Sequence, residues 1–134
     1  MAQIIMSNPE KLHSPVGPYS QVAKVKASEY VFLAGQTATD KAGKLVGADD
    51  FEAQCKQVFE NVEIALQSVG AGWSNVVHFT NYLVNPEDQP RLVKFRLEFF
   101  PRAFPNGYPP NTLLYVHRLL NPKFLVEVQA IAVL

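Results

Sequence analysis

Few residues in this chain could do chemistry by type and spacing alone. His13, His78 and His117 are the three histidines, and they lie far apart, so their spacing does not describe a metal site within one chain. His78 and His117 read instead as strand residues with ordinary hydrogen bonds. Cys55 is the single cysteine. It falls on the apolar stripe of a predicted helix, where a small core residue is expected rather than a nucleophile. There is no glycine-rich phosphate loop, no Gly-x-Ser-x-Gly elbow, and no His-Glu-x-x-His or Cys-x-x-Cys pair. No metal or cofactor is expected.

The elements that must position a site are easier to read. The 134 residues suit one domain, 1–134, with no repeat, linker or low-complexity tract. Hydrophobic residues make up 48% of the chain and charged ones 18%, the balance of a soluble globular protein. Twelve basic residues equal twelve acidic ones, which excludes an electrostatic pull toward nucleic acid or an anionic membrane. No run approaches a membrane span, and the first residues lack the basic and apolar regions of a signal peptide. With one cysteine and no possible internal disulfide, the cytoplasm is the expected compartment.

Ile4–Met6 reads as a short strand. Val22–Lys26 and Tyr30–Thr37 read as a hairpin joined by Ala27-Ser28-Glu29. A helix follows, with Asp49 as N-cap and Glu52 completing a capping box. Phe51, Cys55, Val58, Val62, Leu66 and Val69 recur at steps of four, three, four, four and three, one apolar stripe that would pack on a sheet. Gly70 is placed to end it. Val76–Val84 is a strand. Asn85-Pro86-Glu87-Asp88 opens a second helix, which buries Leu92, Phe95, Phe99 and Phe100 and stops at Pro101. Strands Thr112–Arg118 and Phe124–Val133 close the chain. The order predicts an α+β fold, a two-layer sandwich of a mixed sheet with both helices on one face. The strands are apolar on both parities, so the other face needs a cover, and self-association is the simplest one.

Four segments carry a more specific signal. They are Ser14-Pro15-Val16-Gly17-Pro18-Tyr19-Ser20-Gln21, Val31-Phe32-Leu33-Ala34-Gly35-Gln36, Pro109-Pro110-Asn111-Thr112, and Leu125-Val126-Glu127-Val128-Gln129-Ala130-Ile131-Ala132. In this order and at these separations they resemble the reactive-intermediate deaminase family (RidA-like, also called YjgF or L-PSP). The resemblance runs from about Ser14 to Ala132. It implies a chorismate-mutase-like fold, a homotrimer, and a small-molecule ligand bound in clefts between subunits.

The resemblance also gives three positions a role. Tyr19 matches a tyrosine bordering the cleft; without the family it is a half-buried tyrosine after a Gly-Pro turn. Glu127 matches a glutamate that orients or activates the water attacking an imine carbon, a step that needs a proton acceptor within hydrogen-bond reach. Its other reading is a structural ion pair, since a carboxylate between Val126 and Val128 on a half-buried strand needs a partner or a wet cleft. Gly35 matches a glycine whose backbone lies against the ligand, and is otherwise a strand bulge.

Asn111 departs from the pattern. The family usually reads Pro-Ala-Arg-Ser or Pro-Ala-Arg-Thr there, and the arginine holds the substrate carboxylate. Hydrogen bonds to charged groups contribute about 1.5–3 kcal/mol against about 0.5–1.5 for neutral ones. Replacing that arginine with an amide should weaken amino-acid-derived imines by roughly tenfold to a few hundredfold. Arg118 has the wrong strand parity to substitute, and His117 lies about 20 Å away along an extended strand. Arg102, in the loop before Asn111, and a neighbouring subunit are the remaining sources. Ala34, Val93 and Leu113 each replace a polar residue frequent in the family, so the pocket is expected to be more apolar than a typical one. An imine or enamine hydrolase of altered specificity and a non-catalytic ligand-binding trimer both follow. An endoribonuclease, the family's older label, would need a basic groove that the balanced charge does not supply.

Overall fold

The computed structural model describes residues 1–134 and contains a four-stranded sheet, a separate two-stranded ribbon and two helices. In chain order these are β1 (Gln3–Ser7), β2 (Val22–Lys26), β3 (Tyr30–Phe32), α1 (Phe51–Gln67), β4 (Val76–Leu83), α2 (Gln89–Ala103), β5 (Asn111–Tyr115) and β6 (Val126–Val133). The main sheet runs β3-β6-β4-β5. Only β4 and β5 are parallel, because α2 forms the crossover between them; the other neighbours are antiparallel. The expected two-layer α+β sandwich with a mixed sheet is present.

Alternation along the strands sets the two faces. On β4, Phe79, Asn81 and Leu83 are buried beneath the helices, and on β6 so are Val126, Val128, Ala130 and Ala132. From α1, Phe51, Cys55, Val58, Val62 and Leu66 descend onto this layer, as their spacing predicts. Phe59, Trp73, Phe100 and Phe104 surround Phe79's fully buried ring with centroids 5.9–6.3 Å away, and Phe99 meets Phe100 edge-on at 5.0 Å. The opposite face has no helix over it. It presents Phe32, 72% exposed, Leu114, 44% exposed, and the half-buried Tyr82, Glu127 and Ile131.

Several local expectations are corrected. β2 does not pair with β3. It forms the ribbon with β1, from Gln3 opposite Lys26 to Ser7 opposite Val22. The turn between β2 and β3 is captured by the end of the chain instead, where the Ser28 and Glu29 N–H groups both donate to the Leu134 carbonyl. The N-cap of α1 is Asp50, not Asp49. Asp49 has φ 57°, whereas Asp50 is extended and accepts from the Ala53 N–H at 3.1 Å. That shift puts Glu52 one residue too early for a capping box. Val69 lies beyond the helix and is half exposed, and Gly70 ends the turn at φ +77°.

Residues Pro86–Asp88 form a 3-10 turn ahead of α2. Pro101 lies inside α2 rather than ending it. The hydrogen bond it cannot make would reach the carbonyl of half-exposed Leu97, and the last turn is held by Phe104 N–H donating to Phe100 at 2.8 Å. β5 and β6 are shorter than expected at their outer ends. His117 and Arg118 fall after β5, and the Arg118 guanidinium caps the Leu119 and Leu120 carbonyls.

Candidate functional site

The predicted site residues fall into two groups on opposite faces of the sheet. On β4, Phe79 is the neighbour of Asn111 and Tyr82 the neighbour of Glu127. Phe79 and Tyr82 point to opposite faces, so within one protomer Asn111 faces the helices and Glu127 the open side.

Glu127 is positioned by the start of β6. Buried Gln54 of α1 holds that start in place: its Nε2 donates to the Lys123 carbonyl at 3.0 Å and its Oε1 accepts from Leu125 N–H at 2.8 Å. Beside Glu127, the chain after β3 continues along β6. Leu33 N–H bonds to Ala130, and Gln36 exchanges both backbone bonds with Val128. Three steps from Leu33 to Gln36 match two on β6, so one residue is extra and the strand bulges at Ala34 and Gly35. The bulge brings the Gly35 backbone onto the carboxylate. A Cβ at Gly35 would lie 2.7 Å from Glu127 Oε2. Glu127 makes no salt bridge, and burial raises its pKa above the usual carboxylate value. The alternative of a structural ion pair is therefore not what its surroundings provide within the protomer.

Tyr19 and Asn111 meet on the helix side. A cavity of about 330 Å³ lies where the Val16–Tyr19 loop, α2 and the edge strand β5 converge. Val93 and Leu113 are among its walls, as the expectation of an apolar pocket requires. Ala34 is not; it is exposed beside Gly35 in the other group.

The cavity also contains a residue that the sequence reading missed. Arg96 of α2 is only 2% exposed and lines it. Its Nη2 donates to Asn111 Oδ1 at 2.7 Å and to Asn81 Oδ1 of β4. Asn81 Nδ2 in turn donates to Asn111 Oδ1 and to the Thr112 carbonyl at 3.1 Å. The guanidinium carbon sits 5.4 Å from the Phe100 ring centroid and 5.9 Å from that of Phe79. Burial pulls the Arg96 pKa down to about 10, which still leaves it charged at neutral pH.

Arg102, one of the two sources left open for the missing cation, lies in the last turn of α2 rather than in a loop, and lines a groove between α1 and α2 with Lys56, Trp73 and Glu98. The signal for Arg96 was present: it is four residues after Leu92 and three before Phe99, on the apolar stripe itself. Asn81 was equally visible, on the buried parity between Phe79 and Leu83. No group of three or more His, Cys, Asp or Glu residues is placed to hold a metal. No helix is long and apolar enough to cross a membrane.

Comparison with known proteins agrees with this architecture. Residues 10–134 match the family model described as endoribonuclease L-PSP. A RutC family protein, slr0709 of Synechocystis, is 37% identical over 123 residues, covering 90% of this chain and 89% of that protein. A 2-iminobutanoate/2-iminopropanoate deaminase of Dermatophagoides farinae is 30% identical over 91 residues, 68% of this chain and 70% of that protein. Among solved structures, the Rid family protein YyfB of Yersinia pestis, described as of unknown function, superposes with a TM-score of 0.84 at 29% identity, covering 99% of this chain and 98% of that one.

Proposed function

Because this chain belongs to the RidA/YjgF (L-PSP) family, with its chorismate-mutase-like fold, we propose that it hydrolyses imines or enamines in a cleft between the subunits of a homotrimer. The observation that carries this reading is the Glu127 carboxylate, unpaired, half-buried and lying against the Gly35 backbone. Such a group can hold a water and accept its proton.

In the reaction, Glu127 takes a proton from water as the oxygen adds to the imine carbon. That proton goes to nitrogen to give a carbinolamine; Glu127 then moves the hydroxyl proton to the same nitrogen as the C–N bond breaks, and ammonia leaves behind a carbonyl. Tyr19 borders and positions the ligand. Asn111 has its Oδ1 engaged by Arg96 and Asn81, so its Nδ2 is the group left to donate to a ligand oxygen. Ala34 and Gly35 supply backbone beside the reacting atoms.

A trimer would suit the scheme physically. The open face carries Phe32 and Leu114, which self-association would cover. It is also how the two groups of residues come together: Glu127, Gly35 and Ala34 from one protomer, Tyr19 and Asn111 from its neighbour. One buried thiol and no disulfide fit a cytoplasmic setting.

The test is ammonia release from 2-iminobutanoate and from aromatic imino acids, generated in situ by an amino-acid oxidase. Wild type should accelerate release from at least one of them, and Glu127→Gln should lose that acceleration by about a hundredfold or more. If no imine is turned over by the wild type while small ligands still bind, the protein is a ligand-binding trimer and not a hydrolase.

A further inference from the structure

We propose that Arg96 is the anion anchor of the cavity between α2 and β5, taking the carboxylate of a small monocarboxylate with an apolar, ring-bearing body. Asn111 acts as its positioning partner. The inference deepens the imine-hydrolase reading by naming the ligand's charged end, but it concerns binding and can be tested without turnover.

The argument starts from an unbalanced charge. Arg96 is buried, and both side chains that accept from it, Asn81 and Asn111, are neutral amides. The chain's two salt bridges both belong to Arg91, which engages Glu52 and Asp88. From α1, Cys55 is the ionisable neighbour, and burial pushes its pKa up to about 12, so it carries no charge at neutral pH. A buried cation with no anion beside it is destabilising, and removing its desolvation cost usually takes a paired charge. Here the chain provides none.

Hydrogen bonding at the guanidinium is also incomplete. Arg96 Nε has no hydrogen-bond partner despite its burial. An orphaned guanidinium N–H is a donor that the two amides leave unsatisfied, so the charge has room for a further acceptor. Arg96 is the only charged residue among the cavity's walls. A phosphate would call for a second cation or a nest of backbone N–H groups, so one arginine fits a singly charged, planar carboxylate. The remaining walls include Tyr19, Val93, Leu113 and Tyr115, which suit an aromatic or branched body.

This changes what Asn111 means. The cation is not missing from the cavity; it comes from α2 instead of β5, and the asparagine makes room for it. An arginine at position 111 would have met Arg96 head-on.

Phenylacetate and its neutral amide, phenylacetamide, separate charge from shape. In calorimetric titrations wild type should bind phenylacetate at least tenfold more tightly than phenylacetamide. Arg96→Met keeps the bulk, removes the buried charge, and should erase that preference. Asn111→Asp supplies a carboxylate from within the chain, so phenylacetate binding should fall at least tenfold while the Tm rises. Equal binding of acid and amide by the wild type, or no binding of either, overturns the proposal. So does an Arg96→Met protein that still prefers the acid. If Arg96→Met does not fold, Asn111→Asp decides alone, and unchanged phenylacetate affinity there is equally fatal. Neither probe has a hydrolysable C=N bond, so the two readings fail separately. A protein that holds phenylacetate through Arg96 but releases no ammonia keeps the anchor and loses the hydrolase; the reverse result loses only the anchor.

Discussion

Arg96 Nη2 donates to Asn111 Oδ1 at 2.7 Å, joining the middle of α2 to the first residue of β5. Asn81 donates to the same oxygen, so a strand, a helix and a neighbouring strand share one acceptor. Asn111→Arg would replace that acceptor with a second cation. The expected result is a loss of about 2–3 kcal/mol, the range for burying an unpaired charge, read from urea denaturation. The double variant Arg96→Met/Asn111→Arg should recover most of it. Equal stability of Asn111→Arg and wild type would show that Arg96 moves away freely.

Glu127 has a raised pKa from burial. A carboxylate whose folded pKa lies above its unfolded one is a liability at neutral pH, and the liability disappears as pH falls through the folded value. Glu127→Gln should therefore have a higher Tm than wild type at pH 7, with the difference closing as pH drops toward 4.5 and below. The gain should be a fraction of a kcal/mol, because water reaches the carboxylate and screens it. A gap that widens on acidification would mean that the carboxylate is held by a partner.

Gly35→Ala places a methyl group 2.7 Å from Glu127 Oε2. The side chain can swing aside, so stability should change by about 1 kcal/mol or less, while the water-holding geometry is lost. Ammonia release should fall about as far as in Glu127→Gln. A fully active Gly35→Ala enzyme would show that the contact is incidental.

Cys55 is fully buried on α1, and its thiol is pushed up to about 12. Thiolate is the reactive form, so a thiol reagent at pH 8 should leave the native protein unlabelled and modify it completely in denaturant. Rapid native labelling would mean that α1 lifts from the sheet.

Phe32 and Ile131 face each other across β3 and β6 on the open side. Phe32→Glu puts a charge at the centre of the surface proposed to be covered by neighbouring subunits. Light scattering should report a trimer for wild type and a monomer for the variant, with imine hydrolysis lost at the same time. A monomeric wild type would remove the intersubunit cleft.

Much of this protein follows from local sequence. The stripe from Phe51 to Leu66, the alternation of β6 and the turn at Gly70 each express a period or a backbone preference that a few neighbouring residues decide. The four motif segments carried the family and the fold with them. Adjacent alternatives were harder: Asp49 and Asp50 offer the same cap, and only the backbone angle chose between them. Strand pairing is less local: β2 pairs with β1 and not with β3 across the Ala27-Ser28-Glu29 turn, because pairing partners are set by the whole sheet and not by the nearest turn.

The site itself was decided by tertiary structure. Arg96 is fifteen residues from both Asn81 and Asn111, and no periodicity links three such positions. A charged residue on an apolar stripe usually reads as an exception to be tolerated. It becomes a buried cation beside a cavity only because two asparagines on adjacent parallel strands converge beneath α2, leaving Nε without a partner. The separation of Glu127 from Asn111 has the same origin. Their register on β4 differs by three residues, an odd number, which sends them to opposite faces of the sheet.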